Sequence, residues 1–498
     1  MKRSIFTATL VSSLLTIGAS LNAAVRPNIL FIAIDDMRPE IGCYGASHVK
    51  TPHMNKLAAE GVLFQRAYCQ QAICGPSRAS ILTGMRPDTI GVHGNHSHYR
   101  DKKKNLLTLP QFFKTKGYYA AACGKINHGV FPKGKAPKWD TMGDPESWSV
   151  PAFRPGPRYY YTETGIKAAQ KVFKKRFPQR PLDEWDQYLS FGPLTEAPDV
   201  EDHVLYDGQV ADRAVKYLRE FGKDKDQPFF LAVGMIKPHS PYIAPKKYWG
   251  LYQRDQINLA PNPDFPKNAP SYAGHSSGEK RRYTDQKKRG AFTPEDQRKT
   301  KHAYYACISY IDAQIGKVLQ ELENQGLKNN TIVILWSDHG YHLGEQNLWG
   351  KTTNYELDTR VALICRAPGK KGNGQPSPAL VELVDMYPTL VSLAGFDVPN
   401  VCEGKDFSPV LEEPTRAWKP AAFSQYPRGK LKGYAMATHH FRYIEWIAAD
   451  GSIASRELYD HRNDPMETVN VANQAPYAED VARLSKLLDR GQGWKKMQ

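Results

Sequence analysis

Residues 28–36 read NILFIAIDD. The stretch 28–34 does not alternate apolar with polar residues, so it fits a strand covered on both faces, as found inside parallel sheets. It ends in two carboxylates, Asp35 and Asp36. Two further runs repeat the pattern: TIVILW at 331–336 is followed by Ser337, Asp338 and His339, and FFLAV at 229–233 leads into Lys237, Pro238 and His239. Helical patterns at 53–60, 107–115, 204–220 and 302–325 lie among them, the last closed by Gly326. Strands alternating with helices predict an α/β fold with a large, doubly wound, mostly parallel sheet flanked by helices. Ligands of such sheets gather beyond the carboxyl ends of the strands, so the polar tails of the three runs are expected on one rim.

The stretch 249–298 is rich in Pro, Gly, Lys and Arg and lacks an apolar period. It reads as a long basic excursion, either a solvated loop or a segment that touches substrate. After Pro399 the pattern changes to short β-like runs at 434–438 and 443–446 and a closing helix at 478–488. This predicts a catalytic domain over 25–400 and a smaller C-terminal α+β subdomain over 401–498. At the other end, Lys2 and Arg3 precede an apolar run at 5–17, and small residues Ala23 and Ala24 follow. That pattern predicts a cleaved secretory signal over 1–24 and delivery to a periplasm or the exterior. Ser12, Ser13 and Thr16 interrupt a run already too short to span a bilayer, and no later stretch is a candidate span.

Of 498 residues, 41% are apolar and 24% charged, enough for a large core and incompatible with wholesale disorder. Lys and Arg number 67 against 51 Asp and Glu, a formal charge of +16 that favours an anionic partner. Export sets nucleic acid aside and leaves anionic polysaccharide in view. The seven cysteines are too few for a disulfide scaffold and none has the C-x-x-C spacing of zinc or redox sites. Most are expected to be buried thiols, with the odd count pointing to one put to another use.

The sharpest surroundings belong to Cys74, in Cys74-Gly75-Pro76-Ser77-Arg78 followed by Leu82-Thr83-Gly84. Pro76 suits a first helical turn and Gly84 a helix end, so Cys74 is expected at a helix N-terminus, where free N–H groups favour an anion or a polarised oxygen. Arg78, one turn on, can lean back toward it. By itself the pattern is equally a structural cysteine in a Pro-containing turn.

The C-x-P-S-R segment with its Leu-Thr-Gly continuation resembles the maturation signature of the type I sulfatases of the alkaline phosphatase superfamily. The neighbouring segments are similar to the iduronate-2-sulfatase branch of that family: DDMRPEIGCYG at 35–45, TPHMNKLAAEGVLFQRAYCQQAICGPSR at 51–78, GKINH at 124–128, KPHSPY at 237–242, SDHGYHLGEQNLWGK at 337–351 and SQYPRG at 424–429. The resemblance runs from about Arg26 to Asn470 and implies an alkaline phosphatase-like fold and hydrolysis of sulfate esters.

The resemblance further implies that a maturing enzyme oxidises Cys74 to formylglycine, and that Asp35, Asp36, residue 74, Asp338 and His339 surround a divalent cation. Hard carboxylate oxygens suit Ca²⁺, the ion the resemblance implies, or Mg²⁺, while imidazole is an uncommon calcium ligand. It assigns support of the formylglycine to Arg78 and Lys125, and to His128 the proton whose removal drives sulfate elimination. It makes Lys237 and Lys351 a clamp on the sulfate, and His239 the general acid for the departing sugar oxygen. An aldehyde has a chemical advantage over serine. Its hydrate carries two hydroxyls, so after one is sulfated the other expels sulfate and restores the carbonyl. The loop around Asn95, His96, His98 and Tyr99 departs from the iduronate enzyme, and His96 and Tyr99 are expected either to contact the sugar or simply to form surface.

The resemblance, with the predicted signal and the basic charge, thus implies an exported sulfatase acting on a sulfated carbohydrate, either a 2-O-sulfated uronic acid or a sulfated algal polysaccharide. Two rival readings stay open: a phosphate mono- or diester hydrolase with the same metal rim, and a sulfated-glycan binding protein in which Cys74 is never oxidised.

Overall fold

The structure, a computed structural model, describes residues 26–128, 143–156, 159–187 and 191–489. The predicted signal at 1–24 lies outside the described residues. The central sheet is built from β1 (Asn28–Asp35), β2 (Val62–Tyr68), β3 (Tyr119–Gly124), β4 (Phe229–Pro238), β5 (Thr331–Ser337), β6 (Arg360–Val361), β7 (Leu363–Arg366) and β8 (Pro376–Glu382). Their spatial order is β6-β2-β7-β5-β1-β4-β3, with β8 paired to β2. The neighbours β5, β1, β4 and β3 are mutually parallel, whereas β7 and β6 run antiparallel to β2.

The unbroken apolar run of β1 is explained by its two neighbours and two faces: all eight residues are buried. Successive side chains leave opposite faces. Leu30, Ile32 and Ile34 pack with α1 (Pro52–Glu60), α5 (Tyr206–Phe221) and α6 (Pro294–Asn324), whereas Ile29, Phe31 and Ala33 pack with α2 (Cys74–Thr83), α3 (Leu109–Thr115) and α7 (Met386–Leu393). A helix at Glu163–Arg176, α4, also lies on the first face through Ile166 and Ala169. The predicted helix at 302–325 begins earlier, at Pro294, where Thr293 and Asp296 form a capping box. Its first turns are charged and carry no apolar period, which hid them inside the basic excursion.

A second sheet of four antiparallel strands follows, β9 (Ala422–Arg428), β10 (Leu431–Ala437), β11 (Phe441–Ile447) and β12 (Ile453–Asp460). The final helix, α8 (Ala478–Leu488), seats Leu484 and Leu488 against Phe423, Met436 and Tyr443 of this sheet. All seven cysteines are free, six of them buried. Among the described residues no helix is long and apolar enough to cross a membrane.

Candidate active site

Because β5, β1, β4 and β3 are adjacent and parallel, their carboxyl ends form one edge, and the polar tails converge there. Asp35 closes β1, and Asp36 follows with φ 60°, a left-handed conformation rare for a residue with a Cβ. It is held from both sides: its N–H donates to Asp338 Oδ1 at 3.1 Å and its carbonyl accepts from the Tyr304 hydroxyl at 2.8 Å.

Cys74 is the first residue of α2, and Gly84 ends that helix in the left-handed region at φ 68°. The Cys74 Sγ lies 3.3 Å from His339 Nε2 and 3.8 Å from Asp36 Oδ1. Asp35, Asp36, Cys74 and His339 each offer a ligand atom within 4.8 Å of all the others. Asp338 stands beside them, its Oδ1 3.6 Å from His339 Nε2. The three aspartates are fully buried.

Such a concentration of carboxylate is tolerable only with countercharge. Arg78 provides part of it, donating from Nε to Asp338 Oδ2 at 2.8 Å and from Nη2 to Asp35 Oδ1 at 3.3 Å. Its Nη1 donates to the carbonyls of Lys125 and Ile126 at 2.7 and 3.0 Å, so the guanidinium also fixes the end of β3. The Lys125 ammonium pairs with Asp35, and Lys351 Nζ lies 2.6 Å from Asp36 Oδ2. Burial alone would raise the Asp35 carboxyl, but Lys125, His239 and Arg78 hold it well below the usual range. Burial likewise opposes the charge on Lys125 and Lys351, and Asp35 and Asp36 respectively outweigh it. Burial and Asp35 push the Cys74 thiol well up, so the unmodified side chain is a neutral thiol rather than a thiolate nucleophile.

The end of β4 is shaped by a bulge. Ile34 of β1 pairs with Met235, yet Asp35 pairs with Pro238, which leaves Ile236 and Lys237 out of register. Their N–H groups donate to the Asp207 carboxylate in the first turn of α5, at 2.7 and 3.0 Å. Lys237 Nζ donates to the carbonyls of His239 and Pro241 at 2.8 and 2.6 Å, bracing the loop beyond. His239 pairs Nδ1 with the Ser240 carbonyl at 2.6 Å, which leaves Nε2 facing the rim. Burial, then Lys351, depress this imidazole to about 3.

Nine of the residues read from the sequence therefore share one cluster: Asp35, Asp36, Cys74, Arg78, Lys125, His239, Asp338, His339 and Lys351. Lys237 adjoins it with two of its protons already committed to carbonyls. His128 lines a narrow neighbouring cleft with Arg78, Asn95, Ser97 and Asn127. Tyr99 is corrected: it is 3% exposed and its hydroxyl donates to Asp144 Oδ2 at 3.0 Å, so it is a buried strut rather than a sugar contact. Its ring belongs to a small apolar cluster with Ile90 and Val92. His96 is exposed on the same loop, which abuts the nucleophile helix where the Gly75 N–H donates to Asn95 Oδ1 at 2.9 Å. A Cβ on Gly75 would meet that oxygen at 2.7 Å.

Two residues escaped the sequence reading. Asp207 sits inside an ordinary amphipathic helix pattern and has no motif around it. Glu279 lies in the basic excursion, in a helical turn at Gly278–Arg281, and reaches back over the rim: its Oε1 is 3.0 Å from Lys351 Nζ and 3.6 Å from His239 Nε2.

A buried carboxylate cluster facing a helix N-terminus on an α/β rim defines a hydrolase of anionic esters. The chain belongs to the sulfatase family, whose model, Sulfatase, matches residues 27–396. A second model, N-sulphoglucosamine sulphohydrolase, C-terminal, matches residues 344–493. The mouse (Mus musculus) iduronate 2-sulfatase is 33% identical over 90% of this chain and 91% of its own. The chain is thus a sulfuric ester hydrolase by family. Its fold is shared with a structure solved with its substrate D-glucosamine-2-N,6-O-disulfate, at a TM-score of 0.73, 23% identity, and coverage of 95% of this chain and 98% of that one. It is shared equally with the phosphonate monoester hydrolase of Agrobacterium radiobacter, at 0.72, 23% identity, and coverage of 93% and 95%.

Proposed function

We propose that the protein is an exported sulfatase that hydrolyses sulfate esters of a sulfated carbohydrate, with Cys74 oxidised to formylglycine. The observation that carries this is the meeting of Cys74 with Asp36 and His339, within 3.8 Å, at the N-terminus of α2. The similarity to mouse iduronate 2-sulfatase favours a 2-O-sulfated uronic acid, with sulfated algal polysaccharide as the other carbohydrate class. The signal at 1–24 supports a periplasmic or secreted location, and the division into 25–400 and 401–498 is kept as the domain reading.

The donor set fits a hard divalent cation. Four carboxylates, Asp35, Asp36, Asp338 and Glu279, face four cations, Arg78, Lys125, Lys237 and Lys351, so an added sulfate ester would leave excess negative charge that a divalent cation offsets. Asp35, Asp36, Asp338, His339 and residue 74 would hold it, Ca²⁺ before Mg²⁺, and when bound it neutralises sulfate oxygens and lowers the pKa of a nearby hydroxyl.

The chain's own groups do the rest. Arg78 and Lys125 keep Asp35 ionised, and Arg78 holds Asp338 in place. Lys351 and the third proton of Lys237 bind sulfate oxygens. His239 donates from Nε2 to the leaving sugar oxygen. Its Nδ1 donates to the Ser240 carbonyl, so the form that donates from Nε2 is the imidazolium. His128 takes the proton of the remaining hydroxyl on residue 74 as sulfate leaves.

The test is release of inorganic sulfate from defined sulfated saccharides by protein co-expressed with a formylglycine-generating enzyme, alongside aryl phosphate and phosphonate esters. Sulfate release from saccharides is expected. Turnover confined to phosphorus esters overturns the reading, and a Cys74 peptide that keeps its CH₂–SH mass in catalytically active protein overturns the nucleophile.

A further inference from the structure

Glu279 reaches the rim from outside the sheet, and its position is fixed on both sides. Before it, Ser277 adopts a left-handed φ of 56° and its Oγ accepts the Trp349 N–H at 3.0 Å, two residues from Lys351. After it, buried Lys280 sits 3.8 Å from the centre of the Trp349 ring and 4.1 Å from that of Phe292, and its Nζ donates to Thr300 Oγ1 at 2.7 Å. The turn is therefore clamped to the segment that carries Lys351. The Glu279 side chain is 26% exposed, so it faces the open mouth while Oε1 stays 3.6 Å from His239 Nε2. The Ser240 hydroxyl donates to the same oxygen at 3.5 Å.

An anionic group here is unexpected in a site that must attract an anion. Its position resolves the conflict. On the reading above, on which this inference rests, Lys351 Nζ, 3.0 Å from Oε1, lies on the sulfate side and His239 Nε2, 3.6 Å from it, faces the oxygen joining sulfur to sugar, so Glu279 stands where sulfate meets sugar, with its charge partly neutralised by Lys351. We infer that Glu279 is a specificity-determining residue that accepts a hydrogen bond from a hydroxyl on the carbon next to the sulfate ester and rejects a saccharide carrying a second sulfate there. A fixed carboxylate rewards a donor and repels a like charge, which discriminates by more than shape alone can.

The experiment compares kcat/KM for a saccharide with one sulfate ester and a free neighbouring hydroxyl against its vicinally disulfated counterpart, in the wild type and in Glu279→Gln, with an aryl sulfate as reference. The wild type is expected to prefer the monosulfated sugar, and Glu279→Gln to shrink that preference by roughly tenfold, as one like-charge contact removed from a partly buried site implies. Glu279→Asp, which keeps the charge, should retain most of the preference and carries the test if the Gln variant does not fold. An unchanged preference with all three substrates slowed alike overturns the inference and makes Glu279 a prop for Lys351. If the wild type hydrolyses no sulfate ester at all, the reading of the site fails first. Calorimetric binding of the two saccharides to Cys74→Ala, with and without Glu279→Gln, then decides the inference on its own: equal discrimination in both proteins overturns it.

Discussion

Cys74 and His239 make separable contributions that substitution can tell apart. Replacing Cys74 by Ala removes the side chain that matures; among the described residues its Sγ contacts Asp36 and His339 of the rim rather than groups that hold the helix. Sulfate release should drop to background while the thermal midpoint stays within about 2 °C of wild type, since loss of a small buried group costs on the order of 1 kcal/mol. Retained turnover in this variant would exclude residue 74 as nucleophile. His239→Ala should instead act by substrate. A sugar alkoxide needs its proton and an aryloxide does not, so kcat on the saccharide should fall by about 10² to 10⁴ while aryl sulfate loses far less. Parallel losses on both would assign His239 to binding. These two residues were legible in the sequence because each sits in a motif of fixed spacing. Glu279 and Asp207 were not, since each is one acid in a segment whose composition describes something else. Tyr99 was misread because an aromatic in a polar loop says nothing of its burial.

At the scale of elements, two buried carboxylates tie helices to neighbouring elements. Asp207 replaces the strand partner that the β4 bulge loses, taking the N–H groups of Ile236 and Lys237. Asp207→Ala leaves two buried donors unpaired, at about 1–3 kcal/mol each, and frees the Lys237–His239 loop. The expected result is a saccharide kcat loss of at least tenfold with KM less affected, reversed in part by Asp207→Asn, which restores one acceptor. Asp312 of α6 does the same for α1, accepting from the N–H groups of His53 and Met54 at 3.1 and 2.8 Å. Burial raises its carboxyl from 3.8 to about 7. The native chain thus keeps a proton that the unfolded chain gives up near pH 4, so the stability this group contributes is complete below about pH 4 and lost as pH rises toward 7. In thermal melts, the advantage of wild type over Asp312→Asn should be largest near pH 4 and shrink toward pH 7; a difference that grows with pH would contradict the assignment. Neither contact was visible beforehand. An amphipathic pattern marks the face a helix buries, but not which polar residue on that face caps a neighbour.

Across the whole molecule, the parallel sheet and its rim were readable because a strand covered on both faces must be apolar throughout and must end where the chemistry begins. The antiparallel β6 and β7 and the pairing of β8 were not, since short strands joined by long excursions leave no local signal of register. The charge of +16 was readable from composition, but its placement was not. The turn carrying Glu279 continues into Arg282, Lys287, Lys288 and Arg289, all exposed. On the proposed function, a fixed anion at the sugar and exposed cations further along the same segment would divide the work: the carboxylate would sort the ring at the sulfate, and the cations would hold a polyanionic chain leading to it. Such surface attraction is screened over a Debye length of about 10 Å at 0.1 M salt and about 3 Å at 1 M. Raising the salt from roughly 0.05 to 0.5 M should therefore lower kcat/KM for a polysulfated oligosaccharide by an order of magnitude or more, and for an aryl monosulfate by much less. Reversing the charge at Lys287, Lys288 and Arg289 together should flatten the first dependence without changing the second. Identical salt dependence for both substrates, with or without that reversal, would show that the basic turn does not recruit substrate.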